Sequence, residues 1–330
     1  MSFRLDSVLK QAAGIALAMV ATAAANAQTS DVYPSRLIKW VVAYPAGGGL
    51  DVMTRVITED MAKRLKQPIV VDNRAGAGGT IGAGQVAKSP ADGYTLMTID
   101  MGGYTSVHHL YSNLTYVPPK DLQVIATWAS LPFMLAVNAN LPVKNYQDFI
   151  AYAKANPTKL NYGSSGVGNP LHISMELLQA RTGTKLTHVP YKAMVNMVGD
   201  LASGEVQAAI GDYGSFKPFV QTGKVRLLAV AADSRLPHIP DVPTFTELGV
   251  KDLPISVWLA VAAPKGTPQA VVDRISSTLA ETMQTAEVKE RFATFGVAPM
   301  FMSGKQAADF VQAQDKFWEG VVKPMNIKLD

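Results

Sequence analysis

The sequence predicts an α/β protein of two doubly wound domains with a ligand cleft between them. Three observations carry that expectation. Apolar runs of strand length alternate with amphipathic runs of helix length along the whole chain. The strand-like runs are almost continuously apolar, as in strands buried on both faces. Each half of the chain also places a glycine-rich loop between a strand and a helix N-terminus.

The first 27 residues read as a removable export signal. Arg4 and Lys10 give a positive start, Ala12–Ala25 is apolar, and Ala25-Asn26-Ala27 has the small-x-small pattern of a cleavage site. Cleavage near Ala27 implies an exported, periplasmic protein. No later stretch is long and apolar enough to read as a membrane-spanning helix. The chain has no cysteine and is 48% hydrophobic, so its stability rests on its core rather than on disulfides. The formal charge is only +4 over 330 residues, with no block of Lys and Arg. No nucleic-acid partner is therefore expected.

From Ile38 the elements follow in order. Ile38–Ala43 (IKWVVA) is a strand. A helix runs from Asp51 to Leu65 with Val52, Met53, Val56, Ile57, Met61 and Leu65 at helical spacing. Pro68–Val71 is a strand, Ile81–Lys88 a helix and Tyr94–Ile99 a strand, giving βαβαβ and a parallel sheet. Phe133–Val137, Tyr146–Asn156 and a short strand ending at Asn161-Tyr162 repeat the grammar. A helix from Pro170 to Thr182 follows, begun by Asn169. Thr187–Tyr191, Val195–Ser203, Val206–Asp212, Val225–Ala231 and Ile255–Pro264 continue it, and Gln269–Thr285 and Gln306–Val322 close the chain as helices. Crossings between halves are expected near Ser130–Phe133 and Leu253–Ser256. They give a discontinuous first domain, 28–131 with 255–330, and an inserted second domain, 132–254.

The loops point to chemistry. "YPAGGGLD", Tyr44–Asp51, places glycine N–H groups at a helix N-terminus, where unpaired donors and the helix dipole favour an anion. A tight turn capped by Asp51 is the alternative. "GSSGVGN", Gly163–Asn169, repeats the position and adds two serine hydroxyls. "RAGAGGTIGAG", Arg74–Gly84, fails the dinucleotide spacing and reads as a structural loop near the cleft, with an anion nest as the alternative. No phosphate-binding Gly-Lys-Ser/Thr follows any glycine run. The histidines 108, 109, 172, 188 and 238 form no metal-binding spacing, so neither metal nor cofactor is expected. G-x-S-x-G is absent, and catalysis is not expected. An exported hydrolase or isomerase would instead need His172 within reach of Ser164 or Ser165. A scaffold or adhesion protein would have no closing cleft.

Long, ordered motifs carry a resemblance. "YPSRLIKWVVAYPAGGGLD", "VVDNRAGAGGTIGAGQVAKSPADGYTL", "LNYGSSGVGNPLHISMELL", "HVPYK", "AAIGDYGSFKPFVQTGKVRLLAV", "IPDVPTFTELG" and "APKGTP" resemble the extracytoplasmic solute receptors of the tripartite tricarboxylate transporter system, the Bug family. The resemblance spans about Tyr33 to Ile327. It implies a type II periplasmic binding-protein fold, a small carboxylate as ligand, closure of the domains on it, membrane transporter components as partners, and a monomer. By position it assigns Tyr44, Ala46, Gly47, Gly48 and Asp51 of the first loop to the ligand. It assigns Ser164, Ser165, Gly166, Gly168, Asn169 and His172 of the second, with Asp100, Gly102, Tyr191, Asp212 and Tyr213.

The chain departs from the family pattern at Leu50, where Thr or Ser is usual, and at Ala193-Met194, where Gly-Gly is usual. Asp100, Tyr104 and Tyr213 are also unusual. Tyr44, Tyr104, Met194, Tyr213 and Trp258 are expected either to line a pocket that accepts an aromatic acid or to fill the core. Asp100 would repel a second carboxylate, receive an amine or hydroxyl, or cap the next turn.

Overall fold

The computed structural model describes residues 33–111, 113–232, 234–250, 253 and 256–325. The fold below is that of the compact unit that begins at Leu37. The expected export signal, residues 1–27, lies outside the described residues, as do parts of the expected second crossing.

The elements are β1 (Ile38–Val42), α1 (Gly49–Leu65), β2 (Ile69–Asn73), α2 (Thr80–Ala87) and β3 (Thr95–Asp100). A π-helical turn, Met101–Ser106, leads into α3 (Val107–Leu110), α4 (Pro118–Asp121) and β4 (Leu122–Pro132). Then come β5 (Met134–Asn138), α5 (Tyr146–Ala155), β6 (Asn161–Ser164), α6 (Pro170–Thr182), β7 (Thr187–Pro190), α7 (Met194–Ser203), β8 (Ala208–Gly211), α8 (Tyr213–Gln221) and β9 (Val225–Val230). The chain ends with β10 (Ser256–Pro264), α9 (Gln269–Gln284), α10 (Ala286–Thr294), β11 (Ala298–Ser303) and α11 (Gly304–Val322).

Two sheets result. The first has the order β11-β4-β10-β3-β1-β2, the second β7-β6-β8-β5-β9. The chain passes from the first sheet to the second between β4 and β5, and returns between β9 and β10. At both crossings the strands pair: Pro132 lies opposite Ser256 and Leu131 opposite Val257. Each sheet defines a lobe with its own core. Trp40, Ile99, Trp258 and Trp318 are buried in the first lobe, and Ala136, Met197, Leu201 and Phe216 in the second.

Both sheets are mixed, where the sequence predicts parallel ones. β1 is parallel to β2 and β3, and β6 to β7 and β8. β10 runs antiparallel to β3 and β4, and β5 antiparallel to β8 and β9. A strand covered on both faces is apolar whichever way it runs, so the pattern carries no direction. β6 also begins at Asn161 rather than ending there. Gly163 is a strand residue because a Cβ there would meet Met197 Cγ at 2.5 Å. The second glycine loop is thus shortened to residues 165–169.

Candidate functional site

The first loop leaves β1 and starts α1 with Gly48 as N-cap. The cap is Gly48, not Asp51 as the sequence allowed, and Gly48 supplies no side chain. Asp51 sits in the first turn and turns back: Oδ2 accepts from the Gly47 N–H at 2.8 Å and from Arg55 Nε at 3.0 Å, and Oδ1 accepts from Asn73 Nδ2 at 2.9 Å. Burial opposes its charge, but the hydrogen bonds from Arg55, Gly47 and Asn73 outweigh that and hold its pKa below the ordinary carboxylate value. Asn73 also donates to the Tyr44 carbonyl, fixing the loop's entry. The N–H of Gly47 is therefore spent. Those of Gly49, Leu50 and Asp51 have no partner among the described residues. Ala46, Gly47 and Gly48 are exposed.

Tyr44 points elsewhere. Its hydroxyl donates to Asp100 Oδ2 at 2.7 Å, while Asp100 Oδ1 accepts from the Gly103 N–H at 2.8 Å. Asp100 thus caps the π-helical turn and anchors Tyr44. Burial raises the Asp100 pKa, and these two donors offset part of the rise.

The second loop is held from within. Asn169 Oδ1 accepts from the Leu171 N–H at 2.9 Å, capping α6, and His172 Nδ1 accepts from the Gly168 N–H at 3.1 Å. Ser164 is fully buried; its Oγ lies 3.0 Å from the Gly166 carbonyl and 2.7 Å from His188 Nε2. Behind the loop His172 and His188 stack with centroids 4.0 Å apart, and Tyr162 stacks on His188 at 4.9 Å. Burial, then the neighbouring His172, pulls the His188 pKa down to about 4.

The second loop and Tyr44, the first residue of the first loop, line one cavity of about 190 Å³, and Ala46, Gly47 and Gly48 are not among its lining residues. The first lobe lines it with Tyr44, Gly78, Gly102, Val107, Leu110 and Tyr111, the second with Ser165–Pro170. The lobes touch at its edge, where a Cβ on Gly102 would stand 3.0 Å from Pro170 Cγ. Of the residues expected at a site, the cavity gathers Tyr44, Gly102, Ser165, Gly166, Gly168 and Asn169. Asp100, Ser164 and His172 lie buried behind its walls, and Asp51 is buried under the first loop.

The others fall outside the lining. The Tyr191 hydroxyl donates to Asp200 at 2.7 Å. Asp212 caps α8 through the Ser215 N–H and hydroxyl. Tyr213 packs on His238 at 4.5 Å. Tyr104 and Trp258 are core residues, edge to face at 6.4 Å, so the aromatic wall is Tyr44 with Tyr111 instead. Gly78, Val107, Leu110 and Tyr111 are lining residues that the sequence does not single out. Gly78 belongs to the third glycine loop, and Val107, Leu110 and Tyr111 recur at helical spacing.

A cavity walled by both lobes, a glycine loop before a helix on each side, and paired crossing strands are the marks of a solute receptor. The comparisons with known proteins decide the family. Residues 53–327 match the family model of the tripartite tricarboxylate transporter family receptor. The chain belongs to that family. BugT of Bordetella pertussis is 36% identical over 94% of this chain and 96% of its own length. A solved periplasmic transporter, 36% identical, covers 90% of this chain and 100% of its own with a TM-score of 0.83. An R. palustris protein solved with adipate is 34% identical over 88% of this chain and 97% of its own, with a TM-score of 0.81. MatC from Rhodopseudomonas palustris, solved with bound malate, is 30% identical over 88% of this chain and 100% of its own, with a TM-score of 0.77. The receptor therefore has the two-lobed periplasmic binding-protein fold and belongs in the periplasm, in agreement with the resemblance drawn from its motifs.

Proposed function

We propose that the receptor captures a small carboxylate in the cavity between its lobes, for uptake through membrane transporter components. The observation that carries this is the cavity's lining: both lobes contribute, and no Lys, Arg or His is among the lining residues. A carboxylate there meets the Ser165 hydroxyl, a neutral donor; the open N–H groups of Gly49, Leu50 and Asp51 lie outside the lining, and in this reading they reach the ligand when the lobes close on it, where the helix dipole favours its negative charge. Solved relatives with adipate and malate support a carboxylate as ligand. At about 190 Å³ the cavity lies below the size usual for drug-sized ligands, which suits a compact acid. The Tyr44 hydroxyl donates its hydrogen bond to Asp100, so it offers the cavity a lone pair. That suits a ligand hydroxyl next to the carboxylate. Residues 28–131 with 255–330, and 132–254, act in this reading as two domains that close about the crossings.

The Ser–His contact behind the second loop does not favour a hydrolase: it joins Ser164 to His188, not to His172. Ser164 is sealed from solvent, and a histidine with a pKa of about 4 is a weak base.

Isothermal titration of residues 28–330 tests the proposal with malate, adipate, benzoate, an amino acid and an uncharged sugar. Saturable binding of the acids alone is the expected result, with the hydroxy acid tightest. Binding of the sugar and silence from every acid would overturn it.

A further inference from the structure

One cluster of chemistry lies outside the ligand cavity. His108 and His109, on α3, face Asp315 of α11. His108 Nε2 is 3.1 Å and His109 Nε2 3.4 Å from the same carboxylate oxygen, Asp315 Oδ1. The two rings lie 4.0 Å apart. All three side chains are largely shielded, His109 most, at 9% exposed.

His108 Nδ1 lies 3.2 Å from the Tyr104 carbonyl, which can only accept, so Nδ1 is satisfied there and Nε2 is the ring atom turned toward Asp315. Asp315 Oδ1 and His109 Nε2 are moreover buried without any hydrogen bond, although 3.4 Å apart. Donor atoms that approach closely, point past one another and leave their lone pairs unused are arranged to converge on a third body.

We propose that His108, His109 and Asp315 bind a divalent transition-metal ion of the zinc class. One donor atom from each lies within 4.8 Å of the others. Tetrahedral zinc with bonds of about 2.0–2.2 Å sets its donors about 3.3 Å apart, close to the two separations observed. Two imidazoles and a carboxylate favour zinc, nickel or copper over magnesium or calcium. The Tyr104 carbonyl fixes the His108 tautomer, as an outer-shell partner does in metal sites. Asp315 also lines a cavity of about 620 Å³ together with Tyr104, Gln312 and Lys305, which brings solvent to the Asp315 side of the cluster. Glu319, one turn beyond Asp315, adds negative charge acting on His109. The ion would tie α3 to α11, and Val107 and Leu110 of α3 line the ligand cavity.

The test uses untagged protein stripped with EDTA and titrated with zinc chloride. The expected result is one Zn²⁺ per chain, displaced by EDTA and not by Mg²⁺. His109→Ala and Asp315→Asn should each weaken binding at least tenfold. His238→Ala, beside Tyr213, should leave it unchanged. Absence of saturable Zn²⁺ binding in the wild type, or full binding in both cluster variants, would overturn the proposal. Should the variants fail to fold, Co²⁺ added to the wild type decides. The intense visible absorption of a four-coordinate N/O site supports the site, and its absence refutes it.

Discussion

The two glycine loops sit at equivalent places, after a strand and before a helix, yet they solve opposite problems. In the first, the side chains serve the loop's shape: Asp51 ties Gly47 to Arg55 and Asn73, and the N–H groups of Gly49, Leu50 and Asp51 stay open. In the second, Asn169 and His172 consume the N–H groups of Leu171 and Gly168, and the loop closes on itself over a histidine stack. One loop is a frame around unpaired donors; the other is a finished wall that offers one serine hydroxyl. Similar composition therefore does not mean similar duty. What decides is where the nearest polar side chain points.

The largest effect should come from breaking the frame. Asp51→Ala removes the buried carboxylate that accepts from the Gly47 N–H, Arg55 and Asn73, and should cost about 1–2 kcal/mol in urea unfolding. A loss under about 0.5 kcal/mol would mean the frame is not needed. A subtler change separates donors from frame. Gly49→Pro removes one open N–H at the first helical position, where proline is tolerated, and Gly48 already holds ψ 160, as a residue before proline requires. Nothing stands within 4 Å of an added Cβ. Acid affinity should fall about tenfold, with Tm shifting by no more than about 2 °C. Unchanged affinity would transfer the carboxylate to the second loop.

A third test distinguishes the loops by pH. His188 has a folded pKa of about 4 against an ordinary value of 6.5. Between those values the unfolded chain binds a proton that the folded protein does not. Stability at the second loop should thus decline as pH falls from about 6.5 to 4, then level off. The Asp51 contribution, with its lowered pKa, should persist through that window and fade only below about pH 3.8. Melting curves from pH 7.5 to 4 should show the decline, and His188→Gln should flatten it. An equal slope in the variant would place the sensitivity elsewhere.

Much of the fold is legible in the sequence because burial on both faces writes itself as apolar runs: β1, β3 and β10 stand within a residue or two of their expected limits. β4 is not read as a strand beyond its last residues, because Gln123, Thr127 and Ser130 interrupt its apolar run, and Thr127 satisfies its hydroxyl on the Met300 carbonyl, 173 residues away. Strand direction is illegible for the reason given by β5 and β10. At the site, glycine position is legible and side-chain duty is not. Asp100 could be assigned an amine, a hydroxyl or a cap from sequence, and only the distance to Tyr44 and Gly103 selects among them. Adjacent histidines stand about 100° apart around a helix, and the proposed metal site takes its third corner from Asp315, distant in sequence.

The crossing strands carry a mechanical consequence. β4 and β10 leave the first sheet side by side, with Leu131 opposite Val257 and Pro132 opposite Ser256. A ladder of hydrogen bonds keeps the two strands at constant spacing, so they flex together as one ribbon. A ribbon bends readily across its thin dimension and resists shear within its plane. In the closure proposed above, movement of one lobe against the other follows a single soft coordinate, so that a membrane partner would need to read only one angle to register cargo.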